Sequence, residues 1–150
     1  MNPAFWDSSS LFSLCCFEPA TVLAEEFAAE FSVTVWWATW VEIRGAVARR
    51  ARCAIMPPHI EAEALRRLAL LRSVWTEVEP SAAVREGALE LIAQYELRAA
   101  DALQLAAAVE WRADGFARMM NFVSGDKRLL AAARAEGFAV HSTTVNSQKR

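Results

Sequence analysis

Short apolar runs alternate with helical stretches along this chain, and that alternation leaves few folds open to it. Residues 4–6 form one brief apolar run, and residues 31–37 are dense in β-branched and aromatic side chains. Residues 75–78, 119–123 and 138–141 are further runs of strand length. Between them the pattern predicts helices over residues 11–16, 20–30, from Thr39 to about Cys53, 59–74, from Ser81 to about Tyr95, 100–112 and 127–136. Val22, Leu23 and Phe27 gather on one side of the second of these. Leu65, Leu68, Leu71 and Val74 gather on one face of the fourth. Thr39 with Glu42 has the form of a capping box, Ser8 to Ser10 are good N-cap types, Ser81 reads as an N-cap and Gly137 as a helix stop. Strands separated by single helices or helix pairs imply a parallel sheet covered on both faces. No linker, repeat or low-complexity segment interrupts the pattern, so residues 1–150 read as one α/β domain with a polar, frayed tail over about 142–150.

Hydrophobic content of 55% against 23% charged residues excludes a disordered chain. A net charge of −2 gives no global attraction to nucleic acid, so any such contact must come from local clustering. Cys15, Cys16 and Cys53 lack metal-ligand spacing and read as small buried apolar residues in a reducing compartment. No charged leader with an apolar run opens the chain, and the apolar run 32–41 falls short of the about 20 residues that span a bilayer. A soluble, cytoplasmic protein without a membrane segment is the expectation.

Four acids stand near the predicted strand-to-helix junctions: Asp7, Glu42, Asp101 and Asp126. The chain has only four Asp, and three of them are in this set. Each has an ordinary reading. Glu42 can complete the box with Thr39, Asp7 and Asp126 can cap helices, and Asp101 can cap its helix or pair with Arg98. Together they would share the rim at the carboxyl ends of the strands, where open α/β sheets bind ligands. Carboxylates gathered in apolar surroundings repel and desolvate badly unless a cation sits between them. Hard oxygen donors suit Mg²⁺ or Mn²⁺, and two His without ligand spacing argue against zinc. Such a metal can activate water for attack on phosphorus. Arg44, Arg49, Arg50 and Arg52 lie on or near the helix of Glu42. They read equally as a phosphate track or as a solvated helix face. Arg98, three residues before Asp101, is the stronger candidate for a phosphate contact at the edge of the site.

Asp7 with Ser9, Glu42 in its Arg-rich helix, Leu-Arg-Ala-Ala-Asp-Ala-Leu-Gln-Leu-Ala-Ala-Ala at 97–108 and Phe-Val-Ser-Gly-Asp-Lys-Arg-Leu at 122–129 resemble the PIN-domain ribonucleases. Within that group the chain is most similar to the VapC-type toxins, over about residues 4–141. The resemblance implies a three-layer α/β/α domain with a mostly parallel central sheet that cleaves RNA with Mg²⁺ or Mn²⁺. It assigns Asp7, Glu42, Asp101 and Asp126 as metal-binding acids, with Ser9 and Ser124 bonded to the carboxylates or to bound water. It further implies a homodimer and a cognate antitoxin; Arg44 and Arg98 are the expected RNA contacts. The helices at 21–31 and 59–74 are candidates for the antitoxin groove. Gln104 stands where many relatives carry His, and Pro3 and Trp6 crowd a strand usually built from aliphatics. Two other readings compete. One is a receiver-like signalling module, which needs an acid pair after its first strand where this chain has Asp7 followed by Ser8. The other is an inactive PIN-like scaffold that binds RNA or antitoxin.

Overall fold

A computed structural model describes residues 1–115 and 119–145. The elements are β1 (Asn2–Trp6), α1 (Ser8–Cys15), α2 (Thr21–Glu30), β2 (Phe31–Trp36), α3 (Thr39–Arg52), α4 (Pro58–Arg72), β3 (Thr76–Val78), α5 (Ala82–Gln94), α6 (Ala99–Asp114), β4 (Asn121–Ser124), α7 (Lys127–Ala135) and β5 (Ala139–Ser142). The five strands form one wholly parallel sheet in the order β3-β2-β1-β4-β5. From β1 the chain steps outward to β2 and β3, then returns to lay β4 on the other side of β1. The direction of winding therefore reverses between β1 and β4, which is where a doubly wound sheet opens a crevice.

Strand side chains alternate between two cores. Ala4, Trp6, Phe31, Val35 and Val123 point to one core, with Leu11, Phe12, Ile43, Val47 and Leu68 from α1, α3 and α4. Phe5, Trp36 and Phe122 point to the other, with Val84, Leu91, Leu105 and Leu129 from α5, α6 and α7. Helices cover both faces, giving the three-layer α/β/α arrangement. Burial on both sides is why the strands read as short continuous apolar runs. Alanines at 102 and 106–108 are fully or almost fully buried and let α6 press against the sheet.

Several local expectations are corrected. β1 begins at Asn2 and includes Pro3, whose missing N–H is tolerated because pairing with β4 starts only at Ala4. Ser8, Ser9 and Ser10 form the first turn of α1, and Asp7 is its cap. The Thr39–Glu42 capping box does not form: α3 starts at Thr39 itself, and its N-cap, Ala38, makes no side-chain bond. α2 buries Thr21 and Ala24 while Val22 is exposed, and Val74 lies exposed beyond the end of α4. Met119 is exposed ahead of β4, and Cys53 is exposed, unlike Cys15 and Cys16. The tail is tied at its start. Thr143 is buried and donates its N–H to Ser124 O (3.0 Å), and Thr144 Oγ1 donates to Gly125 O (2.8 Å). The remainder of the expected frayed tail, 146–150, lies outside the described residues. Among the described residues no helix is long and apolar enough to cross a membrane.

Candidate metal centre

The switch point between β1 and β4 delivers Asp7 and Asp126 to neighbouring positions. Asp7 follows β1 directly, and its N–H extends the sheet by donating to Val123 O (3.1 Å). It caps α1: Oδ1 accepts from Ser10 N (3.0 Å). Ser9 Oγ shares its proton between Oδ1 and Oδ2 (2.9 and 2.8 Å), and Ser124 Oγ donates to Oδ2 (2.8 Å). Asp126 caps α7 in the same way, with Oδ1 accepting from Leu129 N (2.9 Å). The two serines also join the acids' loops. Ser124 Oγ accepts from Asp126 N (2.9 Å) and Ser9 Oγ from Gly125 N (3.1 Å). Gly125 permits this closeness, because a Cβ there would stand 3.1 Å from Thr143 Oγ1 and 3.4 Å from Ser9 Oγ.

Asp7 is only 4% exposed. Burial raises its proton affinity above the ordinary carboxylate value, and the bonds from Ser10 N, Ser124 and Ser9 only partly oppose this. Glu42 is half-buried in the first turn of α3. Burial raises its proton affinity too, the bonds from Ser8 and Gln104 oppose the rise, and the charges of Asp7 and Asp101 add to it. Asp101, in the first turn of α6, is raised by burial and then by the charges of Asp126 and Asp7, with Arg98 opposing. The charges of Asp7 and Asp101 are thus near enough to act on Glu42, and those of Asp126 and Asp7 near enough to act on Asp101.

Sequence reasoning gave Gln104 no role, yet it links three elements of the site. It lies one turn after Asp101 on α6 and is buried. Its Nε2 reaches Ser8 Oγ (2.7 Å), Glu42 Oε1 (3.1 Å) and Thr39 Oγ1 (3.3 Å). Its Oε1 has no partner among the described residues. The available signal was one amide inside the apolar stretch Leu103–Ala108, three residues after an acid.

The arginines have different surroundings. Arg44 is exposed, and its guanidinium faces the Trp40 ring at 5.8 Å, a ring that Arg72 also covers at 4.0 Å. Arg98 is exposed at the N-cap position of α6, making no cap bond. Arg49 and Arg50, not Arg44, line the cleft that contains Glu42.

The donor chemistry fits a hard divalent cation: four carboxylates, several desolvated and mutually repelling, with no soft ligand among them. Among the described residues no group of three or more acids or other ligand side chains stands at ready-made metal-ligand spacing. A magnesium-type ion does not require that, since it keeps several waters and takes only one or two carboxylates.

A sequence model described as the PIN domain matches residues 4–135. No curated protein matches the chain. Among solved structures, PAE2754 from Pyrobaculum aerophilum is similar at 19% identity and a TM-score of 0.64, covering 93% of this chain and 90% of that one. A toxin–antitoxin complex from Klebsiella pneumoniae is similar at 17% identity and a TM-score of 0.61, covering 94% and 98%. VapBC2 from Rickettsia felis, bound to a DNA fragment from its promoter, is similar at 11% identity and a TM-score of 0.61, covering 93% and 98%. At these identities the likeness is one of fold.

Proposed function

The chain belongs to the PIN domain family, and on that premise we propose that it is a metal-dependent endoribonuclease acting as the toxin of a toxin–antitoxin pair. The observation that carries this reading is that the charges of Asp7 and Asp101 bear on Glu42 and those of Asp126 and Asp7 bear on Asp101, around the β1/β4 switch point. The proposal takes RNA as substrate, Mg²⁺ or Mn²⁺ as cofactor, and a cytoplasmic location. A cognate antitoxin and a second copy of the chain are its partners. The antitoxin is supported by the likeness to solved toxin–antitoxin complexes. Membership of the PIN family sets aside the receiver-like alternative.

Asp7, Glu42, Asp101 and Asp126 would hold the metal, which supplies positive charge to a water and to the phosphoryl oxygens when bound. Asp7 is the fixed member, since both its oxygens are already oriented by hydroxyl or amide donors. Gln104 aims Glu42 by donating to Oε1. Asp101 has no hydrogen bond that fixes its carboxylate among the described residues, so it would be free to turn toward the attacking water and accept its proton. The water oxygen bonds to phosphorus as the bond to the leaving ribose oxygen breaks. Arg98, exposed one turn before Asp101, is the proposed contact for a phosphate at the edge of the site.

Purified protein incubated with total cellular RNA tests the reading, with Mg²⁺, Mn²⁺ or EDTA and beside Asp126→Asn. Discrete fragments that require metal and disappear in the variant are expected. Fragments that persist in EDTA or in the variant would refute the assignment.

A further inference from the structure

The cleft beside Glu42 has a positive wall that hydrolysis itself does not use. It encloses about 460 Å³ and is lined by, among others, Ser8, Phe12, Glu42, Ala46, Arg49 and Arg50. Glu42, Ala46 and Arg49 recur at i, i+4 and i+7, so they share one face of α3. Ala46 keeps the space between acid and base open. The Arg49 side chain folds back along the helix: a Cβ built at Gly45 would lie 3.9 Å from its Nη1. Arg49 is exposed and makes no ion pair among the described residues. Arg50 lies 4.4 Å above the Phe12 ring, and its Nη2 is 3.5 Å from Glu18 Oε2. Glu18 lines the same cleft and is also held by Ser13 Oγ.

We propose that this cleft binds a backbone phosphate of single-stranded RNA away from the scissile bond, gripped by Arg49 and Arg50, with Glu18 as an internal competitor for Arg50. The proposal rests on the nuclease reading and adds a substrate subsite to it. The Arg49 guanidinium, folded back to the level of Gly45, stands about one helical turn, roughly 5 Å, along the axis from Glu42, one or two steps of a stacked strand at about 3.4 Å each. Guanidinium forks match phosphate geometry. Arg50 is presented edge-outward because Phe12 covers one face. The Glu18 contact is long and partly exposed, so an incoming phosphate can replace it. An acidic protein segment is the competing occupant.

The test uses the full chain carrying Asp126→Asn, which is expected to bind without cutting, and a fluorescent oligouridine as probe across a range of salt. Arg49→Gln and Arg50→Gln should each weaken binding several-fold and flatten the salt dependence by about 0.7 in log–log slope. Glu18→Gln keeps an acceptor for Ser13 but releases Arg50, so it should tighten binding, a gain that misfolding cannot mimic. One neutral methylphosphonate linkage, scanned along the probe, should weaken binding by the parent and not by its Arg49→Gln derivative. In the otherwise wild-type chain, Arg49→Gln should raise KM for RNA and spare kcat. Unchanged slopes and KM alongside intact cleavage would overturn the subsite alone and leave the cleft to an acidic protein segment. A parent that binds no RNA, with a wild type that cuts none, would overturn the nuclease reading and the subsite together.

Discussion

Asp7 holds four hydrogen-bond contacts, yet burial outweighs them and its proton affinity rises above the ordinary value of 3.8. The native state therefore keeps a proton that the unfolded chain gives up. Stability from protonated Asp7 is fully present below about 3.8 and is lost as pH rises through its folded value. Without metal, Asp7→Asn should be the more stable protein at neutral pH, because Asn can still cap α1 without burying a charge. Its urea midpoint should also fall less than that of wild type as pH rises from 4. Gln104→Leu should act in the opposite sense. Ser8, Thr39 and Glu42 lose their shared donor, at a cost of about 1–3 kcal/mol in urea unfolding. The caps at Asp7 and Asp126 were legible in the sequence because each lies at a strand-to-helix junction. Gln104 was not, because its meaning depends on Ser8 and Thr39, which are distant in sequence. Arg44, expected as an RNA contact, has its guanidinium toward Trp40, because proximity to Glu42 in sequence does not fix the helix face and a step of two turns it away.

At the scale of elements, caps and stops that depend only on local backbone were readable. Ser81 accepts from Val84 N at the start of α5, and Gly137 takes φ 94° just beyond α7. Gly137→Ala should lower stability by about 1–2 kcal/mol, the cost of a side chain in a left-handed conformation, measured by urea unfolding. The Thr39–Glu42 box failed because its two side chains answer to α6: Gln104 donates to both. A local signal yields when a tertiary partner competes for the same atoms. The faces of α2 and α4 were misread at Val22 and Val74. Apolar residues can stand exposed, so spacing alone does not say which way a short helix turns. Strand limits at β1 and β4 moved by up to two residues, since apolar content marks where a strand is buried and not where its hydrogen bonds begin.

For the whole molecule, alternation of strands and helices was enough to imply a parallel sheet between helical layers. The strand order was not, because periodicity carries no information on which strands become neighbours. That order places β4 beside β1 and so brings two caps, Asp7 and Asp126, to neighbouring loops. Two apolar cores hold the strands from either side, while the crevice collects mutually repelling charge. We propose that these carboxylates form a divalent-cation site. Calorimetric titration of Mn²⁺ into the full chain, beside Asp101→Asn and Asp126→Asn variants shown to be folded, tests it most directly. Wild type should bind, and each variant should bind more weakly by about tenfold or more, a loss that even residues behind the ligands can cause. Equal affinity in all three proteins would show that Asp101 and Asp126 hold no cation.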